Sequence, residues 1–445
     1  FYCHQYMPNP YQRIISSLLR WVCVLFMFGC PSWALGQKGK NKAAMNEVRA
    51  WIDSLCSENM AGRGYVYDGH KKAAYFLERE FKRMGMLRPP GLEGYFQPFD
   101  MNINLPTLAK ISIDEKKLEI GRKAILNRLS GSGRGEFEII DEAYGLYPNN
   151  EVRGKVVIFR DGWPEHLRKD KKKQAEFGER KQDLYRVLSY MEYQPAGVII
   201  VKNKLTAGFA KQALPFPVVE VLAEALPERP VKVKWEITSL VTEVQSQNVL
   251  GYYPGTSMPD STLIICAHYD HLGQLENAIF TGANDNASGV AMLLKLGTHF
   301  AKNPYKYSLL FIAFGGEEAG LAGSEYYVMR QPVLPLDSTY FVLNLDLMGN
   351  GDEGMTAVAG YENEKFWQKL VDINEKVKAV PKISRRRNRP NSDHFFFVEK
   401  GVPSLFLFTL GGLPHYHDVN DRPEVLTLEK FQDVYNLLLA WINVL

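Results

Sequence analysis

"SLLFIAFGGEEAGLAGS", residues 308–324, sets two opposed demands side by side. The run "SLLFIAF" is almost wholly apolar, and only two glycines separate it from the adjacent glutamates Glu317 and Glu318. A short continuous apolar run reads as a strand buried on both faces, the kind found in parallel sheets covered by helices. Adjacent like charges repel, and a carboxylate at the end of such a strand is costly to desolvate. A cation removes that cost. One glutamate then ligates the cation while its neighbour, pointing elsewhere, stays free.

Outward from this strand the pattern alternates. "STLIICAHYD", "TYFVLNLDLM" and "PSLFLFT" read as further buried strands. "SGVAMLLKLGTHFAK", "GLAGSEYYVMRQ", "NEKFWQKLVDINEKVK" and "LEKFQDVYNLLLAWINVL" read as helices between and after them. Strands alternating with helices over 241–445 predict an α/β fold with a mostly parallel central sheet flanked by helices. Ligands of such sheets bind outside the carboxyl ends of the strands. Those ends offer His268, Asp270 and His271; then Asp285 in "GANDNASG"; Glu317 and Glu318; Asp346; and His415, His417 and Asp421. Singly, each has a plainer explanation, such as an aspartate capping a helix. Together, at consecutive strand ends, they argue for a metal centre. Histidines with carboxylates and no thiolate suit zinc or a related divalent ion. Two histidines and three carboxylates exceed one zinc's needs and suit two ions sharing a bridging carboxylate and water.

The rest of the chain frames this core. With 445 residues, 46% of them hydrophobic, it has enough material for two or three domains. Lys and Arg number 53 against 50 Asp and Glu, a balance that gives no reason to expect nucleic acid. Residues 1–36 have the layout of a secretory signal peptide: Arg13 and Arg20, the apolar run "WVCVLFMFG", small residues at Ala34 and Gly36, and no acidic residue before residue 37. Export follows as an expectation, to periplasm, cell surface or medium, with a lipid anchor at Cys30 a poorer fit and no membrane span in the mature chain. Three of five cysteines (Cys3, Cys23, Cys30) fall in this leader; Cys266 lies in a strand and reads as a small buried hydrophobe. Residues 37–102 are expected to be helical, with Ala73, Phe76, Leu77 and Phe81 on one face of a helix that ends at "RPPG". From 103 to 240 the texture turns to short β-rich runs around a lysine-rich helical stretch at 164–191, a solvated face by its composition.

The set "HYD" (268–270), "GANDNASG" (282–289), "FGGEEAGLAGS" (314–324), "NLDLMG" (344–349), "SDH" (392–394) and "YHDVND" (416–421) resembles the zinc aminopeptidases of peptidase family M28. The runs "VRGKVVIFRDG", "PAGVIIV" and "FPVVEV" give the 103–240 insert a weaker similarity to a protease-associated domain. The resemblance implies two Zn2+ per chain, bridged by Asp285. His268 and Asp346 complete one site, Glu318 and His417 the other; Glu317 is the general base, and Asp270 orients His268. It favours His417 over His415 in "HYH", because the family's ligand follows an aromatic and precedes an Asp by four residues, and it gives His271 no ligand role. It also implies a cis peptide bond between Asp285 and Asn286, and substrates that are peptides with a free N-terminus. A glutaminyl cyclase on the same fold and a non-catalytic relative are the alternatives. Tyr416 stands where cyclases usually carry Trp, and no ligand is missing. The stretch "SRRRNRPNSDH" reads either as a solvated basic loop or as a receiver of acidic groups through Arg385, Arg386, Arg387 and Arg389.

Overall fold

A computed structural model describes residues 31–141, 152–160, 194–412 and 414–445. The chain divides into two compact units, residues 1–50 and 51–445. The leader reading, with its three cysteines, falls outside the described residues except for 31–36, which begin helix α1 (Pro31–Leu55). No helix among the described residues is long and apolar enough to cross a membrane. The lysine-rich 164–191 also lies outside them.

In the second unit, α2 (Gly69–Arg83) buries Ala73, Phe76, Leu77 and Phe81 along one stripe, the face expected from their spacing. β1 (Phe96–Ile113), β2 (Lys116–Lys117), β3 (Ala124–Leu126), β4 (Gly133–Asp141), β5 (Val156–Arg160), β6 (Gly197–Lys202) and β7 (Val218–Leu222) follow. Then come β8 (Lys232–Tyr253), β9 (Met258–His268) and the hairpin β10 (Gly273–Leu275) with β11 (Ala278–Phe280). The remaining elements alternate: α3 (Gly289–Lys302), β12 (Tyr307–Phe314), α4 (Ala322–Met329), β13 (Thr339–Asp346), β14 (Gly354–Val358), α5 (Glu364–Val377), β15 (Ile383–Arg385), α6 (Phe395–Glu399), β16 (Ser404–Leu410) and α7 (Phe431–Ile442).

The half of the sheet built from the C-terminal strands has the order β15-β14-β16-β13-β9-β12-β8. Its four central strands, β16, β13, β9 and β12, are parallel. β14 against β16 and β8 against β12 are antiparallel, so the sheet is parallel at its centre and mixed towards its edges. All eight residues of β12 are buried, as its unbroken apolar run demands. Register then places the site. Phe314 pairs with His268, Asn344 with Cys266, and Asp346 with Phe408, so the ends of four strands lie level along one edge.

β1 and β8 form an antiparallel ribbon from Phe96 opposite Val249 to Ile113 opposite Val233. At about 3.3 Å per residue, β8 is about 70 Å long, longer than one core needs. It therefore serves two, running unbroken through position 240, as β1 runs through position 103. Beyond the ribbon the same sheet continues as β4-β5-β6-β7-β3, over a second core centred on Val156, Ile199, Val219 and Trp235.

Candidate metal centre

Four loops leave the carboxyl edge and converge. Asp285 sits in the kinked turn Ala283–Ser288, with non-helical backbone at Asp285 and Asn286, and its peptide bond to Asn286 is cis, as the resemblance implied. Its carboxylate lies between two imidazoles: Oδ1 is 3.3 Å from His268 Nε2 and Oδ2 is 3.1 Å from His417 Nε2. On one side, Asp346 Oδ2 is 3.4 Å from His268 Nε2. On the other, Glu318 Oε2 is 3.2 Å from His417 Nε2. The donor atoms of His268, Glu317 and Asp346 form one group within 4.8 Å of one another, and those of His271, Asp285 and Glu318 form a second. The adjacent glutamates thus face different groups, a divergence prepared by Gly316 in the left-handed region (φ 72°).

His415 stands apart. Its Nδ1 is 3.4 Å from Asp418 Oδ2, so of the two histidines in "HYH" only His417 reaches the cluster. His417→Ala is expected to weaken binding of one zinc ion by at least about 100-fold, since even an outer partner of a ligand is worth 10–100-fold. His415→Ala is expected to change it by no more than about twofold, the scale of an uninvolved substitution. Zinc titration of the metal-free variants decides between the two registers; the reverse order of effects excludes His417.

Asp270 does something other than expected. His268 Nδ1 meets the backbone carbonyl of Asp270 at 3.2 Å, while the carboxylate is 4.0 Å away. That carboxylate instead accepts from the backbone N–H groups of Glu317 (3.1 Å) and Glu318 (3.2 Å) and from the Tyr65 hydroxyl (2.6 Å). It fixes the glutamate turn first and His268 through its main chain. His271 is fully buried, with Nδ1 2.7 Å from Glu318 Oε1, so it lies beneath the cluster.

One organising residue escaped the sequence reading. Arg63 is completely buried and donates to the carbonyls of Leu55, Tyr269, Thr281, Gly282 and Asp285. The only local signal is an arginine inside a glycine-flanked "AGRGY"; Gly64 is needed because a Cβ there would lie 2.3 Å from Gly273 Cα. Asp421 accepts from the N–H groups of Asn284 (2.8 Å) and Asp285 (3.0 Å), pinning the bridging loop. Of "SDH", Ser392 donates to Asp346 Oδ2 (3.4 Å), while His394 is buried against Phe406 rather than in the cluster. In the basic stretch, Arg385 pairs with Glu364 at 2.7 Å, and Arg386 lies 5.5 Å from the ring of Phe408.

The electrostatics suit cations. Burial, then the charges of Glu318, Asp393 and Asp346, push the Glu317 carboxyl well above its ordinary range, although His268 opposes them. Burial likewise raises Asp346. Asp285 is held well below its ordinary value: burial works against this, but bonds to His268 and His417 outweigh it. His417 is pushed up to about 9, against burial, by Glu318 and Asp285. Asp346 Oδ1 and His271 Nε2 are buried without a hydrogen-bond partner. Orphaned donor atoms inside a crowd of carboxylates fit divalent ions. Beside them lies a cavity of about 190 Å³ lined by Leu347, Phe406, Phe408 and Tyr416 together with His268, Asp285, Glu317, Asp346 and His417.

The sheet and this cluster define an α/β domain with a candidate metal centre. Residues 248–442 match the family model described as "Peptidase family M28". The curated relatives include aminopeptidase YwaD of Bacillus subtilis (29% identical over 210 residues, 45% of this chain and 44% of the relative). Leupeptin-inactivating enzyme 1 of Streptomyces exfoliatus is 28% identical over 165 residues, 36% of this chain and 35% of that protein. The chain spans less than half the length of these curated relatives. Among solved structures, the zinc aminopeptidase BSAP from Bacillus subtilis superposes with a TM-score of 0.67 at 19% identity, over 89% of this chain and 94% of that one. A peptidase M28 precursor from Shewanella amazonensis superposes with a TM-score of 0.66 at 17% identity, over 92% and 97%. At those identities the likeness is one of fold.

Proposed function

We propose that this protein is an exported two-zinc aminopeptidase that removes N-terminal residues from peptides. The observation that carries the reading is the Asp285 carboxylate, whose two oxygens face His268 and His417 separately, with Asp346 beyond one and Glu318 beyond the other. One ion is assigned to His268, Asp285 and Asp346, the other to His417, Asp285 and Glu318. Zinc bound at these donors supplies a Lewis acid that activates water and polarises the scissile carbonyl. Glu317 accepts the proton of the attacking water and returns it to the leaving amine. Asp270, bonded to both glutamate N–H groups, keeps that turn in place. A free N-terminal ammonium is drawn to a cavity whose charged walls include Asp285, Glu317 and Asp346. The leader supports export, and the strands of 103–240 support a protease-associated-like insert.

The test is metal content with activity. About two zinc ions per chain and hydrolysis of aminoacyl anilides are expected. Full activity with a single ion, or cyclisation of Gln-initiated peptides in place of hydrolysis, points to a cyclase instead. The apolar cavity wall adds a preference: Leu and Phe anilides should exceed Asp and Lys anilides in kcat/KM by about 10–100-fold, the worth of burying one apolar side chain. Equal rates across the panel would remove the side-chain cavity from the reading.

A further inference from the structure

The segment that follows β6, residues 203–211, belongs to the inserted region yet reaches the metal centre. Ala207 and His417 exchange two bonds: the Ala207 N–H donates to the His417 carbonyl at 3.0 Å, and the Ala207 carbonyl lies 3.0 Å from His417 Nδ1. Lys204 Nζ donates to the Pro414 carbonyl at 2.5 Å, three residues before His417. Phe209 packs edge-on against Tyr65 at 5.5 Å, and Tyr65 bonds Asp270. The Asn104 N–H donates to the Ala210 carbonyl at 2.7 Å, tying the segment to the long ribbon.

A carbonyl oxygen only accepts, so the imidazole nitrogen facing Ala207 must carry the proton. That leaves Nε2, the atom 3.1 Å from Asp285 and 3.2 Å from Glu318, with its lone pair free. His417 also holds φ 57°, a left-handed conformation uncommon for non-glycine residues. The main-chain bond from the Ala207 N–H and the bond from Nδ1 to the Ala207 carbonyl hold it there. The Nδ1 of His268 is instead met by its own loop, at the Asp270 carbonyl.

We infer that residues 203–211 act as a strap that selects the His417 tautomer and orientation, so that the insert controls retention of the ion held by His417, Asp285 and Glu318. The inference rests on the two-ion reading above. Ala207 and Lys204 are positioning residues; neither touches substrate.

The experiment is zinc titration of the metal-free full chain, with the two binding steps resolved, for wild type, Ala207→Pro and Lys204→Ala. Ala207→Pro removes the donor to His417 and is expected to weaken the second ion about 10–100-fold, the range seen when a ligand's outer partner is lost. The first ion's affinity and the melting temperature of the metal-free protein are expected to stay at wild-type values. Lys204→Ala, which leaves the backbone unaltered, is expected to weaken the same step by a smaller factor, and it carries the test if the proline variant does not fold. Unchanged second-ion affinity in the folded variants, or equal loss at both steps with a lowered melting temperature, overturns the inference. A wild-type chain that binds one ion only overturns the two-ion reading and this one with it.

Discussion

Glu317→Gln is expected to lower kcat by about 10²–10⁴-fold, the usual contribution of a general base, while zinc content stays at the wild-type level. The amide keeps the shape of the side chain and removes its capacity to take a proton. Glu318→Gln is expected to behave differently. Glu318 lies 3.2 Å from His417 Nε2 and 2.7 Å from His271 Nδ1, inside the group around Asp285. Its neutralisation should show first as lost zinc, with activity recovering in part at high zinc concentration. Metal analysis beside steady-state kinetics separates the two. If Glu317→Gln lost the metal and Glu318→Gln kept it, the roles of the pair would have to be exchanged.

The second large effect concerns a residue outside the catalytic cluster. Arg63→Ala is expected to cost on the order of 3–5 kcal/mol of stability, because a buried charge-assisted network loses its donor. Five backbone carbonyls, from Leu55 to Asp285, accept from this one guanidinium. Without it they are left in an apolar interior unless water enters the cavity. Arg63→Lys should recover little, since a single ammonium cannot span acceptors arranged for a planar fork. Denaturant unfolding of the metal-free proteins measures this directly. A loss below about 1 kcal/mol, the worth of an ordinary hydrogen bond, would mean that solvent replaces the network. A further expectation is that Arg63→Ala also weakens zinc binding, because Gly282 and Asp285 belong to the loop that carries the central carboxylate.

Local pattern decides a great deal in this protein. The eight buried residues of β12 and the apolar stripe of α2 follow from periodicity alone, because burial on two faces or one leaves an unmistakable spacing. The candidate ligands were legible for a related reason. In a parallel sheet the carboxyl ends of the strands share one edge, so a chain-order list of strand ends is already a list of neighbours.

What the pattern could not decide were contacts made across long separations. His417 and His415 are equivalent in composition and differ by two positions; a backbone with φ 57° at His417 and an Asp418 that engages His415 separate them. Asp270 sits beside His268 in sequence, yet its carboxylate turns to Tyr65 and the glutamate turn. Arg63 looks like any exposed arginine until the loops around 269 and 282 close over it. The boundaries at 103 and 240 mark a change in composition, while β1 and β8 run through both, because strand pairing answers to the partner strand as well as to local residues. The sequence by itself determined the strands, their order of chemistry and the edge on which that chemistry gathers, all of which depend on spacing along the chain. Only the tertiary structure decided which donor faces which acceptor, because hydrogen bonds of about 3 Å depend on register and loop closure, and neither is written into any single segment.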